Sequence, residues 1–161
     1  IETVEAITDL DNVAAVADGL IFGSADLAAT LGVPITWSGM LAARQAMVLA
    51  SARHGIGCID TANYRLSEPD VLANEIQCVK DLGFHGKATV HPSELELINS
   101  TLRPCESALL AASRITDAVK AAQGGIALLD GHMVGPPFAR MARNTLQSGK
   151  AWAARFSRGN S

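Results

Sequence analysis

Short apolar runs alternate, between Ile1 and Pro92, with longer stretches in which apolar positions recur at helical spacing. Short apolar runs are typical of parallel strands buried on both faces, and the longer stretches are typical of the helices that cover them. The runs predict strands at 19–22, 56–59 and 87–90, with Ile1 as the end of an earlier strand. The longer stretches predict helices at 9–17, 26–31, 39–53 and 68–82.

Glycines and small polar residues support these boundaries. Glycine is common where a helix ends, because it adopts the left-handed conformation that closes the last turn. The glycines that follow the predicted helices are Gly32, Gly55 and Gly83. Ser38 and Ser67 are the predicted N-caps of helices 39–53 and 68–82, and Thr8 or Asp9 is the predicted N-cap of helix 9–17.

The pattern changes after His91, where helices dominate. A short helix is predicted at 93–102 and a long one at 106–123, with Pro104 breaking the chain between them. Residues 126–129 predict a strand or an extended arm, followed by a turn at Asp130-Gly131. A last helix is predicted at 136–155, and residues 159–161 are expected to fray.

Polar side chains stand at or just after the ends of the predicted strands: Glu2, Asp26, Asp60 and His91. They are separated by about one strand–helix unit each, which predicts an α/β fold with a parallel sheet. Strand ends carry the chemistry both in eight-stranded barrels and in open α/β sheets. The rhythm alone therefore leaves the choice between barrel and open sheet undecided.

Glu2 and Asp26 form a candidate metal pair. Neighbouring strands lie about 5 Å apart, so carboxylates at adjacent strand ends can reach one cation. Two carboxylates, completed by water and substrate oxygens, are a common way of holding Mg²⁺. The alternative is that Asp26 only caps the following helix and that Glu2 is an exposed terminal residue.

Composition narrows the class of protein further. The chain has 161 residues, of which 48% are hydrophobic and 18% charged, so a packed domain is expected rather than a disordered one. Its formal charge of −3 gives no reason to expect nucleic acid as a partner. The three cysteines are too few and too widely spaced to predict disulfides, which fits a reducing cytoplasm. No membrane span or signal peptide is predicted.

Four stretches, in the same order, resemble motifs of the citrate lyase beta-subunit family, which belongs with the class II pyruvate aldolases and malyl-CoA lyases. They are Ile1-Glu2-Thr3, the Gly19–Gly32 segment GLIFGSADLAATLG, the Asp81–Ser93 segment DLGFHGKATVHPS, and Asp130-Gly131-His132-Met133-Val134. The resemblance implies the C-terminal part of a (β/α)8 TIM barrel followed by a helical C-terminal arm. Residues 1–102 would be the barrel half, and residues 103–161 a helical arm and lid involved in oligomer contacts.

The resemblance also implies a chemistry. Glu2 and Asp26 correspond to the family's Mg²⁺ ligands, and the metal chelates a 2-oxo acid whose partner fragment is the enolate of a CoA thioester. Gly23, Ser24 and Ala25 are expected to offer backbone N–H groups to the substrate carboxylate, because a helix begins there. Asp60 is expected either to contact substrate or to cap the loop that follows it. His91 has no general-base role in the family, which favours a structural part.

Two departures from the family qualify these expectations. About four strands that precede the glutamate motif in the family, with a substrate-binding arginine and much of the CoA site, do not occur here. The chain begins without Met, and we expect it to be a piece of a longer polypeptide. The closing motif of active lyases carries an aspartate that acts as acid/base in a neighbouring subunit, whereas the matching residue here is Gly135. Asp130 is the candidate to replace it.

The sequence therefore predicts a cytoplasmic, Mg²⁺-dependent carbon–carbon lyase. Its expected substrate is a 3-hydroxyacyl-CoA of the citramalyl-, malyl- or citryl-CoA type, cleaved to acetyl-CoA and a 2-oxo acid. The expected assembly, implied by the resemblance, is a homotrimer or hexamer. The alternatives are a catalytically silent subunit that binds CoA or an oxo acid, and a thioesterase that lacks the lyase acid/base.

Overall fold

The computed structural model describes residues 1–66 and 68–157, and the chain forms two compact units. Unit 1 is Ile1–Leu102 and unit 2 is Arg103–Ser161. Ser67, predicted as an N-cap, lies outside the described residues, as do the residues expected to fray at 159–161.

Unit 1 is built on a parallel sheet with the strand order β1 (Gly19–Ile21), β2 (Gly57–Asp60) and β3 (Gly86–Lys87). All three predicted strands are found, but β3 is shorter than the predicted 87–90. Beyond Lys87 the chain leaves the sheet, because the Thr89 hydroxyl bonds the Glu94 carboxylate and the His91 carbonyl and thereby turns the chain.

Ile1 extends this sheet by one more rung. Its main-chain nitrogen donates to the Ile21 carbonyl at 2.6 Å, and the Gly23 N–H donates to the Ile1 carbonyl at 2.8 Å. This is the slanted pattern of a parallel ladder, with Ile1 opposite Phe22. The Phe22 N–H points the other way, to Ile59 of β2, so Ile1 occupies the opposite edge of β1.

The helices of unit 1 follow the predicted pattern with one addition. They are α1 (Val4–Thr8), α2 (Leu10–Val16), α3 (Ser24–Leu31), α4 (Trp37–His54), α5 (Pro69–Leu82), a 3-10 turn (Pro92–Glu94) and α6 (Leu95–Leu102). Helix α1 was not predicted, because it buries no residue and so leaves no apolar periodicity. Its local signal is Thr3, whose side chain accepts from the Ala6 N–H.

The glycines predicted to end helices are confirmed, whereas one predicted N-cap is wrong. Gly32, Gly55 and Gly83 all close helices in the left-handed conformation. Helix α4 is capped by Thr36, whose hydroxyl accepts from the Gly39 N–H at 3.1 Å, and not by Ser38. Thr36 has the extended backbone that an N-cap requires, while Ser38 already lies inside the helix.

One face of the sheet packs on the helices. Leu20, Phe22 and Cys58 point to that face and are buried, whereas Ile21 points to the other and is 56% exposed. The main core joins these strand residues to Phe84, in the loop before β3, and to apolar positions of the helices: Leu10, Ala14, Leu27, Ala28, Met40, Met47, Ala50 and Val79.

Unit 2 is a helical pair with a small hairpin. It consists of α7 (Glu106–Ala121), β4 (Ala127–Leu129), β5 (His132–Val134) and α8 (Pro136–Ser157), and the two strands are antiparallel. Asp130 and Gly131 form the predicted turn, and both have positive φ, as a two-residue hairpin loop requires. Strand β5 was not predicted. Within the described ranges, no helix is long and apolar enough to cross a bilayer.

Candidate functional site

Glu2 emerges from the sheet directly beside Gly23. Because Ile1 pairs with the end of β1, the side chain of the next residue, Glu2, lies beside the start of α3. A Cβ atom added to Gly23 would come within 2.7 Å of the Glu2 Cβ and 2.9 Å of Glu2 Oε2. Gly23 is therefore a residue whose missing side chain makes room for Glu2.

Asp26 lies in the first turn of α3, three residues beyond Gly23. Gly23 is the N-cap of this helix and has no side chain to cap it, while the Ser24 N–H donates to Thr61 Oγ1 at 3.4 Å. The alternative that Asp26 is only a cap is thus not what the structure shows. Uncapped N-terminal N–H groups and the helix dipole favour negative groups at this end.

The predicted substrate-binding residues differ in what they can offer. The Ser24 side chain is fully buried, and its hydroxyl donates to Thr61 Oγ1 at 2.9 Å. Ser24 therefore ties α3 to the loop after β2. The Gly23 N–H already donates to the Ile1 carbonyl at 2.8 Å and the Ser24 N–H to Thr61 Oγ1 at 3.4 Å, so the predicted main-chain role is left to Ala25. That role stays a prediction.

Glu2 and Asp26 carry the carboxylate oxygens that a hard divalent cation prefers. Glu2 and Asp26 are exposed carboxylates, and in the described structure neither side chain has a hydrogen bond or ion pair. Two free carboxylates beside an uncapped helix start leave positions for water and for an anionic chelating ligand, as Mg²⁺ sites do. Among the residues that the structure describes, no group of three or more His, Cys, Asp or Glu is arranged to hold a metal.

Asp60 does not face solvent at the end of the sheet. It is fully buried among charged side chains. Arg44 Nε donates to Asp60 Oδ1 at 2.7 Å, and Lys87 Nζ donates to Asp60 Oδ2 at 3.1 Å. Lys87 also reaches Glu75 at 3.0 Å and the Thr61 carbonyl at 3.0 Å. The expectation of a direct substrate contact or a loop cap thus has no support in this geometry, since both carboxylate oxygens already accept from buried cations.

Arg44, Lys87 and Glu75 are the residues that sequence reasoning missed. Arg44 is only 1% exposed within α4 and stacks on Trp37, with 4.4 Å between the guanidinium carbon and the ring centroid. The only local signal was an arginine in an otherwise apolar, Ala- and Met-rich helix. Its nitrogen Nη1 is buried and has no hydrogen-bond partner.

His91 has a structural role, as expected. Its ring nitrogen Nδ1 accepts from the Ser93 N–H and lies 2.7 Å from the Ser93 hydroxyl, so it caps the 3-10 turn.

The candidate acid/base positions lie in unit 2. Asp130, at the tip of the hairpin, accepts from Arg114 Nη2 at 2.8 Å, and this hydrogen bond lowers the pKa of the Asp130 carboxyl. A carboxylate held ionised in this way is a poor proton donor near neutral pH. Gly135 precedes α8, and a Cβ atom there would meet only Ile126 Cγ1 at 3.6 Å.

Comparison with known proteins identifies the class. The family model described as HpcH/HpaI aldolase/citrate lyase matches residues 1–92. A protein named (3S)-malyl-CoA thioesterase from Cereibacter sphaeroides is 30% identical over 141 residues, covering 84% of this chain and 50% of the relative. Citrate lyase subunit beta of Leuconostoc mesenteroides is 27% identical, covering 75% of this chain and 41% of that protein.

A solved structure shares the fold. CitE from Mycobacterium tuberculosis, crystallised with magnesium, acetoacetate and coenzyme A, gives a TM-score of 0.77 at 24% identity, over 93% of this chain and 59% of that chain. The chain belongs to the HpcH/HpaI aldolase/citrate lyase family, and the predicted fold class, part of a barrel of this family, is confirmed. The chain spans about half the length of the curated relatives it matches.

Proposed function

We propose that this chain carries the metal- and oxo-acid-binding part of a Mg²⁺-dependent carbon–carbon lyase. Its substrate would be a 3-hydroxyacyl-CoA of the citramalyl-, malyl- or citryl-CoA type, cleaved to acetyl-CoA and a 2-oxo acid. The observation that carries the proposal is the packing of Glu2 against Gly23, with Asp26 in the first turn of α3. Membership of a lyase-containing family and the magnesium in the CitE structure support it.

Each residue of this site would have a distinct task. Glu2 and Asp26 would hold Mg²⁺, which when bound acts as a Lewis acid toward the oxygens of the 2-oxo acid. The start of α3 would bind the substrate carboxylate through the Ala25 main-chain N–H, since the Gly23 and Ser24 N–H groups donate to Ile1 and Thr61. Gly23 keeps the site open, because any side chain there would displace Glu2. The buried Ser24–Thr61 hydrogen bond fixes the helix start against the loop after β2.

The two candidate positions for proton transfer in this chain, Asp130 and Gly135, are poorly suited to that step. Cleavage requires a base for the 3-hydroxyl group and an acid for the thioester enolate. Gly135 has no group to contribute, and Asp130 is engaged by Arg114. Asp130 therefore stays a weak candidate for the acid/base.

Thioester hydrolysis is the second candidate function. It is favoured by the similarity to the protein named (3S)-malyl-CoA thioesterase and by Gly135, since hydrolysis needs no protonation of an enolate. The same metal pair would serve, because a 3-hydroxyacyl-CoA with a carboxylate would bind through the same oxygens.

Product analysis tests both functions. The protein is incubated with malyl-CoA and, separately, citramalyl-CoA, in Mg²⁺ and in EDTA. Lyase activity yields acetyl-CoA with glyoxylate or pyruvate, whereas hydrolysis yields free CoA and the intact hydroxy acid. Free CoA without acetyl-CoA replaces the first proposal with the second. Binding without any product leaves the silent binding subunit and contradicts both activities.

We also propose that the protein is a homo-oligomer, a trimer or hexamer, assembled through unit 2. Leu128 and Met133 are direct cross-strand partners, and their side chains are 73% and 69% exposed. Ile126, next to them, is 69% exposed. Apolar side chains clustered in this way are typical of interfaces. Light scattering should give a trimer or hexamer, and Leu128→Lys should lower the mass; a monomer contradicts the proposal.

A further inference from the structure

A buried pair of hydroxyl groups anchors the start of α3. Thr61, the first residue after β2, is 3% exposed, and Ser24, the first residue of α3, is fully buried. Thr61 Oγ1 accepts from the Ser24 hydroxyl at 2.9 Å and from the Ser24 N–H at 3.4 Å. One hydroxyl oxygen therefore holds both the side chain and the main chain of the residue between Gly23 and Ala25.

The Thr61 main chain is held in turn by Lys87, the last residue of β3, whose side chain is fully buried. Lys87 Nζ donates to the Thr61 carbonyl at 3.0 Å and to Asp60 Oδ2 at 3.1 Å. It also pairs with Glu75 Oε2 at 3.0 Å, so each of its three donors has a partner. Because Asp60 precedes Thr61 in the chain, Lys87 fixes two consecutive residues and thereby the position of the Thr61 hydroxyl.

The residues that follow Ser24 belong to the proposed metal and carboxylate site. Ala25 offers the N–H that remains for a ligand at the start of α3, and Asp26 lies in the same turn. Gly23, the N-cap, has no side chain with which to hold this turn. A residue that orients a metal ligand typically changes the metal affinity by about 10–100-fold when it is lost. The Thr61 hydroxyl is placed to have such an effect.

We propose that Thr61 is a positioning residue of this site. Its hydroxyl, held in place through Lys87, fixes the Ala25 N–H and the Asp26 carboxylate at the start of α3. Thr61 contacts neither metal nor substrate and acts only through Ser24. The inference rests on the proposed function for what the site binds, whereas the anchoring of α3 requires no bound metal.

Thr61→Val is the main test, because valine keeps the shape of threonine and removes only the hydroxyl group. In the metal-free full chain, the main-chain amides of residues 24–28 should exchange with deuterium at least about 10-fold faster, while the amides of α5 keep their rates. Calorimetric titration with MgCl₂ should give a dissociation constant raised about 10-fold. Thr61→Ser retains the hydroxyl and should restore both quantities.

Two other buried changes control for a general loss of stability. Ser51→Ala removes a hydroxyl that donates to the Val48 carbonyl within α4, at a residue that is 1% exposed. Val71→Ala enlarges a cavity of about 380 Å³ in unit 1, which Thr61, Arg44 and Val71 line. Both variants should leave the amide exchange of α3 and the Mg²⁺ affinity unchanged.

The two readouts separate this inference from the proposed function. Unchanged exchange in Thr61→Val, or no rescue by Thr61→Ser, overturns the anchoring of α3. Faster exchange with an unchanged Mg²⁺ dissociation constant overturns the positioning role, because Thr61 then only stabilises the helix. If the wild-type chain binds no Mg²⁺, the proposed function fails, and the exchange rates alone decide whether Thr61 fixes the start of α3.

Discussion

Glu2 occupies the space that a side chain on Gly23 would need, with only 2.7 Å between the Glu2 Cβ and the position of an added Cβ. This contact exists because Ile1 pairs with the end of β1 and delivers Glu2 to the start of α3. A glycine and a glutamate that are 21 positions apart in the chain are thus packed against each other, and a side chain on the glycine would displace the glutamate.

Gly23→Ala should weaken Mg²⁺ binding at least about 10-fold and destabilise the fold by about 1–3 kcal/mol, because the methyl group collides with Glu2. Calorimetric Mg²⁺ titration and urea unfolding measure the two effects. Gly57→Ala is the matched control: nothing lies within 4 Å of a Cβ at Gly57, so metal binding should not change. Normal Mg²⁺ affinity in Gly23→Ala would show that Glu2 is not a ligand.

Glu2→Gln and Asp26→Asn should each lower Mg²⁺ affinity by more than about 10-fold, because each removes one charged oxygen ligand without changing side-chain shape. Mg²⁺-dependent turnover should fall at least as far. The controls are the same changes at nearby exposed positions, Glu5→Gln and Asp18→Asn, which should leave both quantities unchanged. If Glu2→Gln or Asp26→Asn leaves the Mg²⁺ affinity unchanged, that residue is not a metal ligand.

Asp60→Ala should destabilise the protein by about 3–5 kcal/mol, because it leaves Arg44 and Lys87 buried without their shared carboxylate. Chemical denaturation measures the loss. The surface carboxylate Asp11, which pairs with Arg53 and is 53% exposed, is the control, and Asp11→Ala should cost less than about 1 kcal/mol. A stable Asp60→Ala variant with a raised KM would restore the substrate-contact role.

Gly135→Asp should raise lyase turnover by about 100-fold or more if the chain lacks only the acid/base group. The change is sterically open, because an added Cβ meets only Ile126 at an ordinary contact distance of 3.6 Å. Gly135 accepts the first main-chain bond of α8, from Ala139, and an aspartate suits that position. Gly135→Asn offers the same cap without proton transfer, so a gain with asparagine would count against the acid/base explanation.

The Asp130 carboxyl should titrate below its ordinary pKa, because the Arg114 hydrogen bond favours its ionised form. A depressed pKa stabilises the fold above the unfolded value and loses that contribution as the pH falls through the folded value. Carbon-detected NMR titration measures the shift, and Arg114→Gln should return the pKa to its usual range. If Asp130 is the lyase acid/base, Asp130→Asn abolishes turnover; if it only pairs with Arg114, turnover persists.

The sequence by itself determined the order of strands β1 to β3 with the helices between them, and the glycine ends of α3, α4 and α5. Buried parallel strands must be apolar, and a left-handed helix end favours glycine. Short segments of the sequence are therefore enough to predict both features. It also indicated Glu2 and Asp26 as a candidate metal pair, since strand ends in such folds converge at one edge of the sheet. Their role as metal ligands stays a prediction.

Only the tertiary structure decided where Asp60 goes and what surrounds it. Its partners Arg44 and Lys87 lie 16 and 27 positions away, on a helix and on the next strand. Periodicity reports which face of an element is buried, but not which polar groups of separate elements meet beneath it. For the same reason the cavity lined by Arg44 and Val71 could not be read from the chain, because it arises from packing between elements.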